Sequence, residues 1–219
     1  MSKEKQPTPP SSGDGKAPAA CTTTTCPLAL PEELPANCSD APTQINLPKQ
    51  VNDSMQASYK NSFPNGKSQE RGGIMVKDSA GNIEIVNEGT GTSGTFSPNR
   101  VVGSDEKIIG TYHTHPYDQA EGGYQGVSFS GADINYANYY KEPIYVDAGT
   151  KQFMVIPTQE TSSPKTDNLT SEWDKEFGDA LNNGKSIQEA SASASHTIAK
   201  KYKMAYYEGK NGELKKLGC

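Results

Sequence analysis

The sequence predicts an α/β domain carrying a polar N-terminal tail and a C-terminal α+β extension. Three observations lead there. Between residues 47 and 157, segments with apolar residues at helical spacing alternate with short β-patterned runs. Two pairs of those runs are split by Asp78-Ser79-Ala80-Gly81 and Asp147-Ala148-Gly149-Thr150, which are hairpin signals. Only 32% of the 219 residues are apolar and the mean hydropathy is -0.75, so part of the length is expected to stay outside a packed core.

Residues 1–45 supply that part. They are rich in Pro, Ser, Thr, Ala and Gly, with Thr22-Thr23-Thr24-Thr25 between two cysteines, and bury too little apolar surface to offset their ordering entropy. The expectation is a disordered or partner-docking tail. Val51, Met55, Ser58, Tyr59 and Phe63 then mark an amphipathic helix over about 47–62, ended by the turn residues Pro64-Asn65-Gly66. Residues 73–77 and 82–86 read as a hairpin. A Gly-rich loop follows, then a strand through Lys107-Ile108-Ile109-Gly110-Thr111 and a polar loop, 117–129, placed to fold over whatever lies beside it. A helix over 130–140 and a second hairpin over 144–156 complete a core assigned to 46–158. The extension, 159–219, is expected to pack on that core with helices at about 171–181 and 186–202 and a hairpin turning at Lys210-Asn211-Gly212.

Net charge is -5 and the pI near 5.3, with no dense Lys/Arg cluster, which argues against nucleic acid as partner. No apolar run approaches membrane-spanning length, so no membrane partner is expected. The start, Met1-Ser2-Lys3-Glu4-Lys5-Gln6-Pro7, lacks the hydrophobic centre of a secretory signal. The protein is therefore expected to be made in the cytoplasm, and to leave, if it leaves, on a dedicated machine without a cleaved signal. Cys21, Cys26, Cys38 and Cys219 fit no common zinc-finger spacing. They are read as free thiols in a flexible tail, with a Cys21–Cys26 disulfide or a metal clip closed by Cys38 as alternatives.

The chemistry concentrates at Tyr112-His113-Thr114-His115-Pro116 and Ser130-Gly131-Ala132-Asp133, which hold two of the three histidines. On a strand, residues i and i+2 share a face, so His113 and His115 present two imidazoles side by side. Ser130-x-x-Asp133 is a helix-start capping box, which would fix the Asp carboxylate at a helix N-terminus facing them. Two imidazoles and a carboxylate make a catalytic-type metal set with a fourth position open. Asp118 is the rival third ligand, and His196, alone among small residues, is read as structural or exposed.

Glu70-x-Gly72-Gly73-Ile74, His113-x-His115-Pro116 and Ser130-x-x-Asp133, in this order and spacing, resemble the signature of the JAB/JAMM (MPN-plus) zinc metallopeptidases. The resemblance covers about residues 47–157, with a longer gap between His115 and Ser130 than in compact members. It implies a cytidine-deaminase-like fold, a mixed curved sheet flanked by helices. It also implies that His113, His115 and Asp133 bind Zn²⁺, that Glu70 is the general base for a water attacking a peptide or isopeptide bond, and that Ser130 donates to the developing oxyanion. Glu84, Glu88, Glu106 and Glu121 are rivals for the base. Glu70 is favoured because Gly72-Gly73 lets neighbouring backbone approach. The wording is further similar to JAB-like domains of bacterial polymorphic and type VI-secreted toxins. That implies an effector of bacterial competition with a protein substrate, a cognate immunity protein and a delivery component as partners. The alternatives are a housekeeping, phage-assembly or ubiquitin-like-modifier isopeptidase, or a metal-free JAB-like binding scaffold.

Overall fold

The computed structural model describes residues 33–162 and 166–219. In chain order these form β1 (Gln44–Asn46), α1 (Lys49–Lys60), β2 (Arg71–Lys77), β3 (Ile83–Thr90), β4 (Lys107–Thr114), α2 (Gly131–Tyr140), β5 (Ile144–Asp147), β6 (Gln152–Ile156), α3 (Thr166–Asn182), α4 (Ile187–Lys201), β7 (Ala205–Lys210) and β8 (Glu213–Lys216). The strands make one mixed sheet ordered β1-β8-β7-β6-β5-β4-β2-β3. β4 and β5 pair in parallel, and every other neighbour is antiparallel. α2 is the crossover that parallel pairing requires.

Alternation along the central strands sorts the core into two layers. Tyr145, Met154, Ile156 and Tyr207 face α1, where they meet Val51 and Met55. Ile144, Val146, Phe153, Val155 and Tyr206 face the opposite way, against Ile134 of α2 and Trp173, Ala194 and Ile198 of the C-terminal helices. Each such apolar side chain contributes roughly 1.5–3 kcal/mol by leaving water. One irregularity sets up the site. Opposite Met75 and Val76, β4 carries an extra residue at Ile109, and this bulge re-phases the strand. Ile109 and Tyr112 thus both face α1, which leaves Thr111 and His113 on the α2 face.

The structure differs from the sequence reading at both ends. The segment assigned to a tail packs from Pro35 onward: Pro35, Cys38, Ala41 and Ile45 are buried, the Pro35 carbonyl accepts from the Gln159 N–H, and β1 pairs with β8. Its prolines and serines masked three apolar positions whose partners lie at the far end of the chain. Cys38 is neither a free thiol nor part of a metal clip, because it forms a disulfide with Cys219. Cys21 and Cys26, with the alternatives involving them, lie outside the described residues. The segment beyond 158 does more than pack on a core, since β7 pairs with β6 over Gln152–Ile156 and completes the sheet. No helix among the described residues is long and apolar enough to cross a membrane.

Candidate metal centre

His113 sits near the C-terminal end of β4, opposite Gly72 of β2 and beside Val146 of β5. His115, two residues on, keeps the same side, and its N–H donates to the Asp147 carbonyl at 3.0 Å. The chain then returns to α2, whose N-terminus points at the end of β4. Ser130 is the N-cap and Asp133 the third residue of a complete capping box. The Ser130 N–H and hydroxyl both donate to Asp133 Oδ2 at 2.7 Å. The cap therefore holds the carboxylate as well as starting the helix.

The three side chains converge. His113 Nε2 and His115 Nε2 are 2.9 Å apart, and Asp133 lies 3.2 Å from the first through Oδ1 and 3.4 Å from the second through Oδ2. Ligand atoms about 2.0–2.2 Å from a tetrahedral ion stand roughly 3.3–3.6 Å from one another, so the observed separations match such a set to within a few tenths of an ångström. His115 Nδ1 lies 3.0 Å from the Ser128 carbonyl, which accepts its proton and leaves Nε2 as the lone-pair nitrogen of the neutral ring. Two buried imidazoles with their Nε2 atoms facing one another and a carboxylate are chemically suited to share one cation. The buried His113/His115/Asp133 triad can hold a metal ion.

The charges of the converging groups shift one another. Burial opposes the charge on Asp133, but His113 and His115 outweigh it and hold the carboxyl well below the usual range. Burial also works against a charged His115, and Asp133 and Glu70 outweigh it, so its pKa is raised. Glu70 is buried just before β2, where its N–H donates to the Thr92 carbonyl at 2.7 Å. Continuing the Gly72–His113 register outward sets Glu70 across from His115. Burial pushes its pKa up, the two imidazoles pull it down and Asp133 pushes it up again. Gly72 is needed here, because a Cβ would collide with the Tyr112 carbonyl and the Phe96 ring.

The other expected residues separate clearly. Asp118 caps the turn Gln119–Glu121, accepting from the N–H groups of Ala120 and Ser68, and is outside the triad. Glu84 is exposed, Glu88 accepts from the Tyr112 hydroxyl, and Glu106 accepts from the Gly103 N–H. Glu121 lines the same cavity as Glu70 but is engaged by Ser68 and the Asp118 N–H. Ser130 also lines the cavity, yet its hydroxyl proton is directed at Asp133, so donating to a substrate oxygen means giving up that bond. His196 stands apart, its ring stacked on Tyr206 at 5.5 Å.

Sequence reading missed the layer behind the ligands. The Ser128 N–H donates to Ser191 Oγ at 2.9 Å, and the Ser128 hydroxyl bonds Tyr206 at 2.9 Å. The next carbonyl, of Phe129, accepts from Ser195 at 3.0 Å. The Ser/Ala-rich face of α4 thus clamps the backbone that orients His115. Tyr117 lines the cavity too, and burial followed by the Glu70 and Asp133 charges raises its pKa, which keeps it a phenol able to donate. The cavity that joins these groups has a volume of about 550 Å³. Comparison of the chain with protein-family models, with curated proteins and with solved structures found no match.

Proposed function

We propose that this protein is a zinc-dependent metallopeptidase of the JAB/JAMM type, hydrolysing a peptide or isopeptide bond. The observation that carries the reading is the convergence of His113, His115 and Asp133 on one point, with a buried Glu70 in the same cavity. Zinc held there supplies a Lewis acid and makes water a nucleophile near neutral pH, at an apparent pKa of about 7. The residues of the chain do the rest. Glu70, its basicity raised by burial, takes a proton from the attacking water as the new C–O bond forms. As the C–N bond breaks, the same carboxyl returns that proton to the leaving amine. Ser130 turns its hydroxyl from Asp133 to the developing oxyanion.

The test separates metal from base. Wild type should carry about one zinc and cleave discrete proteins in a bacterial lysate read by mass spectrometry. His115→Ala should lose the metal. Glu70→Gln should keep it and lose hydrolysis by about 10²–10⁴-fold, the usual contribution of a general base. Glu70→Gln with unchanged turnover removes Glu70 from the mechanism, and a wild type without zinc favours a binding scaffold.

The delivered-toxin reading rests on the family likeness and has one structural support. Disulfides persist in oxidising compartments and are rare in the cytosol, and the Cys38–Cys219 bond suits a protein that acts after export. Its partners would then be a protein substrate in the target cell, an immunity protein over the zinc cleft, and a delivery component. Expression of wild type in a susceptible bacterium should slow growth where His115→Ala does not. Equal growth of the two rejects the toxin role and leaves the housekeeping or isopeptidase alternatives.

A further inference from the structure

The cavity does not stop at the ligand atoms. It continues past Ser128 and Ser130 to the C-terminal helices, where Val127, Trp173, Phe177 and Ile187 line it. This recess is a built feature. The Trp173 indole N–H donates to Ser195 Oγ at 3.1 Å, and its ring stacks on Phe177 with centroids 4.9 Å apart and planes 14° from parallel. α3 is seated directly on the first residue of α2, since a Cβ on Gly131 would lie 3.0 Å from Trp173 Cβ. The aromatic wall therefore stands beside the cap that holds Asp133. Phe177 and Ile187 are only half-buried, so each keeps apolar surface that no part of the described chain covers.

Charge narrows what fits. The carboxylates lining the cavity are Glu70, Glu121 and Asp133, and no Lys or Arg lines it. A side chain entering the recess thus meets largely apolar walls and no Lys or Arg to pair an acid. The volume of about 550 Å³ lies within the roughly 300–1,000 Å³ typical of ligand sites.

From the recess, and resting on the peptidase reading, we infer that the substrate is a polypeptide with a large aliphatic or aromatic residue beside the hydrolysed bond. Trp173, Phe177 and Ile187 determine that preference. A Gly-Gly tail, as in modifier conjugates, leaves the recess empty and its apolar surface wet. An acidic residue in the recess gives up its hydration against Trp173, Phe177 and Ile187 with no Lys or Arg to pair it. Each methylene placed in such a pocket is worth about tenfold or more in discrimination.

Trp173 is the only tryptophan in the sequence, so its emission reports occupancy without requiring hydrolysis. The full chain, with and without added zinc, is titrated with blocked Ala-Leu-Ala, Ala-Gly-Ala and Ala-Asp-Ala amides. The Leu peptide should give a saturable change, with the Gly and Asp peptides at least about tenfold weaker. Ile187→Glu should abolish the Leu preference. It adds a carboxylate in the first turn of α4, where the helix N-terminus tolerates one, and circular dichroism verifies its fold. Phe177→Ser should weaken the preference in the same direction. No saturable change with the Leu peptide, equal binding of Leu and Gly peptides, or an unaltered Ile187→Glu overturns the recess. A Leu preference in a zinc-loaded chain that cleaves nothing supports the recess and overturns the peptidase reading. Cleavage without side-chain preference does the reverse.

Discussion

Replacing both Cys38 and Cys219 by serine removes a cross-link between residues 181 apart in sequence. The native state has little reason to move when the bond goes. Lys216 Nζ still donates to the carbonyls of Cys38 at 2.8 Å and Ala41 at 2.7 Å, the Tyr207 hydroxyl to the Pro42 carbonyl at 2.8 Å, and β1 remains hydrogen-bonded to β8. The effect therefore falls on the unfolded chain, which regains the entropy of an open loop. For a loop of this length the chain-entropy relation gives about 5 kcal/mol, at the top of the roughly 2–5 kcal/mol seen when native disulfides are removed. A domain of this size shifts its Tm by about 2–4 °C per kcal/mol, so the double variant should melt about 10–20 °C below the oxidised protein. Calorimetry of the oxidised protein, the reduced protein and the double serine variant measures it. Reduced wild type and the variant should coincide. A shift under about 2 °C would refute the reasoning, because the unfolded chain would then already hold these ends together. The centre on β4 lies four strands from β8, so metal stoichiometry below the lowered midpoint should be unchanged.

Three further outcomes are expected. Zinc at about a hundredfold excess over its Kd stabilises a bound native state by about 2.7 kcal/mol, which raises Tm by about 5–11 °C; Asp133→Asn or a chelator should remove that rise in a thermal melt. Ser191→Ala strands the buried Ser128 N–H at a cost of about 1–3 kcal/mol, and through the Ser128 carbonyl should lower zinc affinity about tenfold, with recovery in Ser191→Thr, as measured by competition with a chromophoric chelator. Alkaline unfolding should track the buried tyrosines: burial holds Tyr145 and Tyr206 well above the ordinary value of 10.0, and burial followed by the Asp147 charge pushes Tyr59 up to about 12. Above pH 10 the unfolded chain releases protons that these folded phenols keep, so stability falls as pH rises. Tyrosinate absorbance should rise together with loss of circular dichroism, and early ionisation of these phenols in a folded protein would contradict their burial.

The centre was legible because local rules build it. Strand periodicity alone puts His113 and His115 on one face, and a capping box alone anchors Asp133 to Ser130. Two hairpins announced themselves by Asp/Gly turns and the third, β7 with β8, by Asn211-Gly212. What stayed hidden depends on contacts far apart in sequence. β1 is three residues long and means nothing until Leu214 lies beside Ile45. Cys38 looked like tail chemistry because its partner is at position 219. Ser191 and Ser195 looked bland in an Ala/Ser helix, since a small polar residue acquires a role only from the backbone it meets. Ile109 fits any β pattern, and only the unequal pairing with β2 makes it a bulge.

The edge strand has a consequence for the path to the native state. β2 with β3 and β5 with β6 can zip from their turns, whereas β1 must wait for a strand at the opposite end of the described chain, and the entropy of closing so long a loop makes it a late arrival. Until then β8 is an open edge, a template on which a second copy can add a strand. Lys215 and Lys216 lie on that edge and Lys210 at the turn before it, like charges that repel an identical neighbour. Neutralising Lys210 and Lys215 should therefore show as lower refolding yield at high protein concentration, while the finished protein, in which Lys216 still holds the Cys38 and Ala41 carbonyls, stays as soluble as before.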